Sequence, residues 1–168
     1  MSIAVTGASG QLGRLVVEEL LTAGLPADQV IAIVRDPAKV TGFADRGVTI
    51  RQGDYTDRAA FDTALKGVQR LLLISTAGPG AAENRHATVI DAAVAAGVNH
   101  IAYTSILHAD TSSNPLAVEH ALTEQLIAAA GVPSTMLRNA WYHELYTSQI
   151  PRYLADGVVI SATGTGRI

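Results

Sequence analysis

Short apolar runs alternate with longer stretches of helical periodicity along the whole chain. Strands are expected at Ile3–Thr6, Val30–Val34, Val48–Arg51, Leu71–Ser75, His100–Thr104, Ser134–Leu137 and Val158–Ile160. Several are apolar at nearly every position, the pattern of strands covered on both faces. Helices are expected near Gln11–Ala23, Pro37–Asp45, Arg58–Lys66, Ala82–Ala96, Pro115–Ala130 and Trp141–Ala155. Strand, helix and strand repeated in this order predict an α/β fold with a doubly wound parallel sheet.

The punctuation agrees. Gly47-Val48, Gly67-Val68, Gly97-Val98 and Gly131-Val132 each follow a helical stretch and lead into an extended one. Glycine takes the left-handed position that ends a helix without a Cβ clash. Asn114-Pro115 supplies a capping side chain and then a proline suited to the first helical position.

Composition narrows the picture. The chain has 168 residues, of which 48% are hydrophobic and 16% charged, so one folded domain covering residues 1–168 is expected rather than disorder. Twelve Lys and Arg against 15 Asp and Glu give a net charge of −3, which argues against nucleic-acid binding through bulk charge. With no cysteine, disulfides, thiolate nucleophiles and cysteine-ligated metals are excluded. The histidines are scattered without metal-ligand spacing, so no metal site is expected. No apolar run approaches the roughly 18 residues of a membrane helix, so no membrane insertion is expected. Met1-Ser2-Ile3-Ala4-Val5 enters a strand without a basic leader, which points to a cytoplasmic location.

The chemistry concentrates after the first strand, in Thr6-Gly7-Ala8-Ser9-Gly10-Gln11-Leu12-Gly13. Gly7 permits a tight turn, Gly10 lets backbone approach a pyrophosphate, and Gly13 lets helix and strand pack closely. The helix start at Gln11 and Leu12 offers free N–H groups to phosphates. Such a turn between strand and helix points to a dinucleotide. The second strand ends Ile33-Val34-Arg35-Asp36. A guanidinium at Arg35 can grip a 2′-phosphate, with Lys39 adding charge, which predicts NADP(H) over NAD(H). The alternative leaves Asp36 on the ribose hydroxyls and Arg35 as an ordinary exposed residue. Asp54, after the third strand, suits either an adenine contact or a turn.

TGASGQLG, IAIVRDPAK, GDYTD, LLLIS, HIAYTSILHADTS and LRNAWYHELY together resemble the NmrA-like atypical short-chain dehydrogenases, and most of all their quinone-reducing and triphenylmethane-dye-reducing members. The resemblance implies a Rossmann-like fold. It also implies pyrophosphate and 2′-phosphate contacts from Gly7 to Leu12 and Arg35. Ser75, Thr76 and Ala77 would follow the ribose and nicotinamide, and Tyr103, Thr104 and Ser105 would line the same crevice. Asn139, Ala140, Trp141 and Tyr142 would border nicotinamide and substrate. For Ser75 and Thr76 plain turn chemistry is the alternative; for Trp141 it is burial against the sheet. Relatives of this type run past the turn at Gly164-Thr165-Gly166-Arg167-Ile168. The chain therefore reads as a cofactor domain whose residues 141–168 begin a substrate-covering part that is otherwise missing.

Ordinary members of this superfamily use a Tyr-x-x-x-Lys pair for proton transfer, and none occurs here. Leu116 falls at the tyrosine place and His120 at the lysine place. A quinone or cationic dye needs orientation more than a strong positioned acid, so such a small-molecule acceptor is expected as partner. His120 and Tyr142 are the candidate catalytic side chains, with a hydrogen-bonded structural histidine as the alternative for His120. Homodimerisation stays open. The function expected is NADPH-dependent hydride transfer; the alternative is an NADP-binding, redox-sensing regulator without turnover.

Overall fold

A computed structural model describes residues 1–76 and 80–159. The chain divides into two compact units, Met1–Arg138 and Asn139–Ile168.

The first unit is built on a six-stranded sheet ordered β3-β2-β1-β4-β5-β6. Its strands are β1 (Ile3–Thr6), β2 (Val30–Val34), β3 (Thr49–Gln52), β4 (Arg70–Leu73), β5 (His100–Ile106) and β6 (Ser134–Asn139). The pairs β1–β2, β2–β3, β1–β4 and β4–β5 are parallel, with Val5 opposite both Ala32 and Leu72. Helices α1 (Gln11–Thr22), α2 (Thr41–Ala44), α3 (Arg58–Ala64), α4 (Ala87–Ala95) and α5 (Pro115–Ala129) connect them. This is the doubly wound Rossmann-like arrangement.

Successive residues of one strand feed opposite cores. Ala4, Ile31 and Ile33 pack with Phe61, Leu65, Val89 and Ile127. Val5, Val30, Ala32 and Val34 pack with Val17 and Phe43 on the other side. Every residue of β2 is buried, which is why the strand reads as an uninterrupted Val/Ile/Ala run.

The expected helix Pro37–Asp45 divides into a 3-10 turn, Pro37–Val40, and the short α2. Asp36 caps that turn by accepting from the Ala38 N–H at 3.1 Å. The expected helix Ala82–Ala96 begins as a π-helical turn, Ala82–His86, before α4. In the second unit the expected helix Trp141–Ala155 is α6 (Glu144–Thr147) and α7 (Ile150–Asp156). Pro151 lacks an N–H and would clash with a preceding helical turn, so one helix cannot run through it. Val158 and Val159 lie in no strand; Ile160 and the turn at Gly164 to Ile168 lie outside the described residues.

Gly13 is where α1 rests on the first turn. A Cβ there would lie 2.7 Å from Ala8 Cα and 2.9 Å from Gly7 C, and closer still to Gly7 O. Gly42, by contrast, has nothing within 4 Å of such an atom. Gly13→Ala is expected to lower unfolding free energy in urea by more than about 2 kcal/mol through overpacking. Gly42→Ala should change it by no more than about 1 kcal/mol.

Candidate functional site

The order of strands reverses between β1 and β4, and a crevice opens beyond their carboxyl ends. It encloses about 550 Å³ and is lined by the Gly7–Gly10 turn, Arg35, the segment from Gly53 to Thr56, Ile74 to Thr76, and Arg85. Side chains close the gap where β1 and β4 part. Thr6 Oγ1 accepts from the Ile74 N–H at 2.9 Å. The Tyr55 hydroxyl lies 2.6 Å from Thr6 Oγ1 and 2.8 Å from the Ile74 carbonyl oxygen. Burial pushes the Tyr55 hydroxyl above its ordinary pKa, so it stays protonated.

The glycine turn separates into two kinds of group. Gly7 adopts φ +60°, which a side chain would strain, and the Gly10 N–H donates to Gly7 O at 2.9 Å. The fully buried Ala8 donates its N–H to Ile33 O at 3.2 Å, so Ala8 anchors the turn and its amide is not free for a phosphate. Gln11, Leu12 and Gly13 open α1, where N–H groups have no intrahelical acceptor. Ser9 lines the crevice. Arg14, not singled out by the glycine pattern, ties this turn to the next loop. It donates from Nε to Ser9 O at 3.0 Å and from Nη2 to Lys39 O at 2.5 Å.

Arg35 is exposed at the crevice, and its carbonyl accepts from Gln52 Nε2 at 3.2 Å. Asp36 is committed to capping at Ala38, as described. Asp54 realises its turn role: Oδ1 accepts from the Thr56 N–H at 2.9 Å and from Thr56 Oγ1 at 2.7 Å. Those bonds, the backbone one first, hold the carboxyl below its usual pKa. Asp54 lines the crevice as well.

Ser75 and Thr76 line the crevice, while Ala77 lies outside the described residues. Tyr103, Thr104 and Ser105 do not line it; each is buried behind it. Thr104 Oγ1 accepts from the Ser75 N–H at 2.8 Å, and Ser105 Oγ donates to Glu124 Oε1 at 2.6 Å. Tyr103 Oη lies 2.8 Å from His120 Nδ1. Their partners lie just beyond β4, at Ser75, and on α5, at His120 and Glu124.

His120 is half-buried on α5 and is not among the residues lining this crevice. Burial lowers its pKa, opposed by Glu124 and Glu119. Leu116, at the tyrosine place, is a partly exposed aliphatic side chain. Glu124 is gripped by Arg138 on β6 through Nε–Oε1 at 3.0 Å and Nη2–Oε2 at 2.7 Å. The Arg138 bonds are the first cause of the low Glu124 pKa. Asn139, Ala140, Trp141 and Tyr142 open the second unit. Within it Asn139 Nδ2 donates to Tyr142 Oη at 2.8 Å, and Trp141 is exposed rather than buried.

His86 carries a role that the scattered histidine pattern does not reveal. It is 1% exposed, with Nε2 2.9 Å from the Thr76 N and Nδ1 2.8 Å from Thr123 Oγ1. Only the partners, which are remote in sequence, distinguish it from the other histidines. Among the described residues no group of three or more His, Asp or Glu side chains is placed to hold a metal ion, and no helix is long and apolar enough to cross a membrane.

The crevice fits a dinucleotide by its glycine turn, its free helix N-terminus and its exposed guanidinium. Residues 7–165 match the NAD(P)H-binding family. The chain is 52% identical to quinone oxidoreductase 2 of Escherichia coli over 166 residues, 99% of this chain and 58% of that protein. The solved structure of an E. coli NADPH-dependent quinone oxidoreductase complexed with NADPH superposes with a TM-score of 0.89, covering 96% of this chain and 56% of that one. The triphenylmethane reductase of Citrobacter sp. is 42% identical with a TM-score of 0.91, covering 99% of this chain and 58% of that one. The chain thus spans somewhat more than half the length of these relatives.

Burial, then the nearby cations His120 and Arg85, push the His86 pKa from 6.5 down to about 4. The unfolded chain therefore binds this proton more readily than the folded one. The contribution is complete above pH 6.5 and is lost as pH falls from there to about 4. It amounts to about 3 kcal/mol. In urea unfolding at pH 7 and pH 4.5, the unaltered chain should lose more stability on acidification than His86→Gln. Equal losses would contradict this.

Proposed function

The chain belongs to the NAD(P)H-binding family, and on that premise we propose that it binds NADPH in the switch-point crevice and passes hydride to a quinone or similar electron-poor acceptor. The observation that carries the cofactor choice is the division of labour after β2. Asp36 is occupied in capping, while Arg35 stands exposed at the crevice. A guanidinium there matches a 2′-phosphate; a free carboxylate would match an unmodified ribose. The unpaired N–H groups of Gln11 and Leu12 would receive the pyrophosphate. Arg14 braces both phosphate-facing loops from behind.

NADPH, when bound, supplies the hydride. What the chain adds is orientation and a fixed wall at Ser75 and Thr76. Leu116 offers no proton, which suits an acceptor whose reduced oxygen is stabilised by its own ring and can be protonated by water. The E. coli and Citrobacter relatives, by their names, reduce a quinone and triphenylmethane dyes respectively, and both acceptors are of this electron-poor kind. Residues 141–168 begin the substrate-side region in this reading. The same Leu116 also favours a second reading, an NADP-binding sensor without turnover.

Arg35→Ala should weaken NADPH binding about tenfold or more, the value of a charge-assisted phosphate contact, and leave NADH binding nearly unchanged. Fluorescence titration measures both, and equal losses would refute the assignment of Arg35. Loss of NADPH absorbance on adding a small quinone separates reductase from sensor. Tight NADPH binding with no acceptor-dependent oxidation supports the sensor.

A further inference from the structure

We propose that His86 is a positioning residue for the cofactor crevice: its Nε2 accepts the amide proton of Thr76 and so fixes the wall that follows β4. The function of that wall rests on the NADPH reading; the hydrogen bond does not.

The tautomer follows from counting protons. Thr123 Oγ1 donates its one proton to Glu119 O at 2.8 Å. Its oxygen therefore meets His86 Nδ1, 2.8 Å away, as an acceptor, and Nδ1 must carry hydrogen. That leaves Nε2 bare, facing the Thr76 N–H at 2.9 Å with Thr76 Oγ1 at 3.3 Å. An imidazolium would aim a second N–H at the Thr76 amide, so the arrangement requires the neutral ring. Near-complete burial enforces neutrality.

Local structure sets the ring in place. His86 ends the π-helical turn, whose wider winding turns it inward while its neighbour Arg85 lines the crevice. Tyr55 and Tyr103 meet the ring edge-on at centroid distances of 6.4 and 5.6 Å. Thr76 itself lines the crevice beside Ser75, whose own amide is held by Thr104. Two neighbouring amides beyond β4 are thus held by side chains in place of ladder partners.

Two substitutions separate the two nitrogens. In His86→Gln the side-chain carbonyl reaches the former place of Nε2 and can still accept from Thr76. In His86→Asn the shorter amide reaches only Thr123. Amide hydrogen exchange at Thr76 and NADPH binding by fluorescence titration are the readouts. The glutamine variant should keep Thr76 exchange and the NADPH Kd within about threefold of the unaltered chain, and the asparagine variant should speed exchange and weaken NADPH about tenfold or more. Equal behaviour of the two variants, in either direction, would overturn the proposal. Nitrogen NMR of the unaltered chain gives a test that needs no variant: a proton on Nε2 of His86 at neutral pH would also overturn it. If the Thr76 contrast appears while the unaltered chain binds no NADPH, the cofactor reading fails and the anchoring role of His86 stands.

Discussion

A parallel sheet covered on both faces leaves only its ends open, and the structure depends on how β1 and β4 separate at one of those ends. Up to Val5 and Leu72 the two strands share a ladder. Beyond it their chains leave for opposite faces, and backbone groups lose their partners in a nearly dry environment, where each unpaired group costs about 1–3 kcal/mol. Thr6 and Tyr55 satisfy the N–H and carbonyl of Ile74 at that point. The clasp lets the sheet end abruptly and leaves a crevice with rigid walls.

The same device recurs along the exit from β4. Thr104 holds the Ser75 amide, and His86 holds that of Thr76. Behind these bonds the rings of Phe61, Tyr55, His86, Tyr103 and His120 form a continuous series of contacts. Buried hydroxyls and a neutral imidazole back the lining residues Ser75 and Thr76, while charged groups line the crevice itself. Arg35 and Arg85 face the crevice, and the nearby carboxylates of Asp36 and Asp54 are engaged by backbone N–H groups. A crevice with fixed polar walls and arginines facing it suits a phosphorylated ligand whose recognition depends on preorganised backbone.

Much of this was legible in the sequence because it depends on local rules. The uninterrupted apolar run of β2 announces burial on both faces. Gly7, Gly10 and Gly13 announce a close approach, and Gly13 meets it most severely. Asn114 before Pro115 caps α5 by accepting from the Leu116 N–H at 3.0 Å. The less legible features all need partners far along the chain. The resemblance places Tyr103, Thr104 and Ser105 at the crevice, whereas their hydroxyls meet Ser75, just beyond β4, and His120 and Glu124 on α5. His86 has no local signature, since Thr76 and Thr123 stand 10 and 37 residues away. The expected helix Trp141–Ala155 takes no account of Pro151, which stands in the first turn of α7.

The most direct test of the central claim is a crystal structure of this chain with NADPH. It should place the pyrophosphate on the Gln11 and Leu12 N–H groups and the 2′-phosphate within hydrogen-bond reach of Arg35. Thr76 should remain anchored to His86. A dinucleotide bound away from the β1–β4 switch point, or one whose ribose is held by Asp36 with Arg35 turned to solvent, would contradict the account.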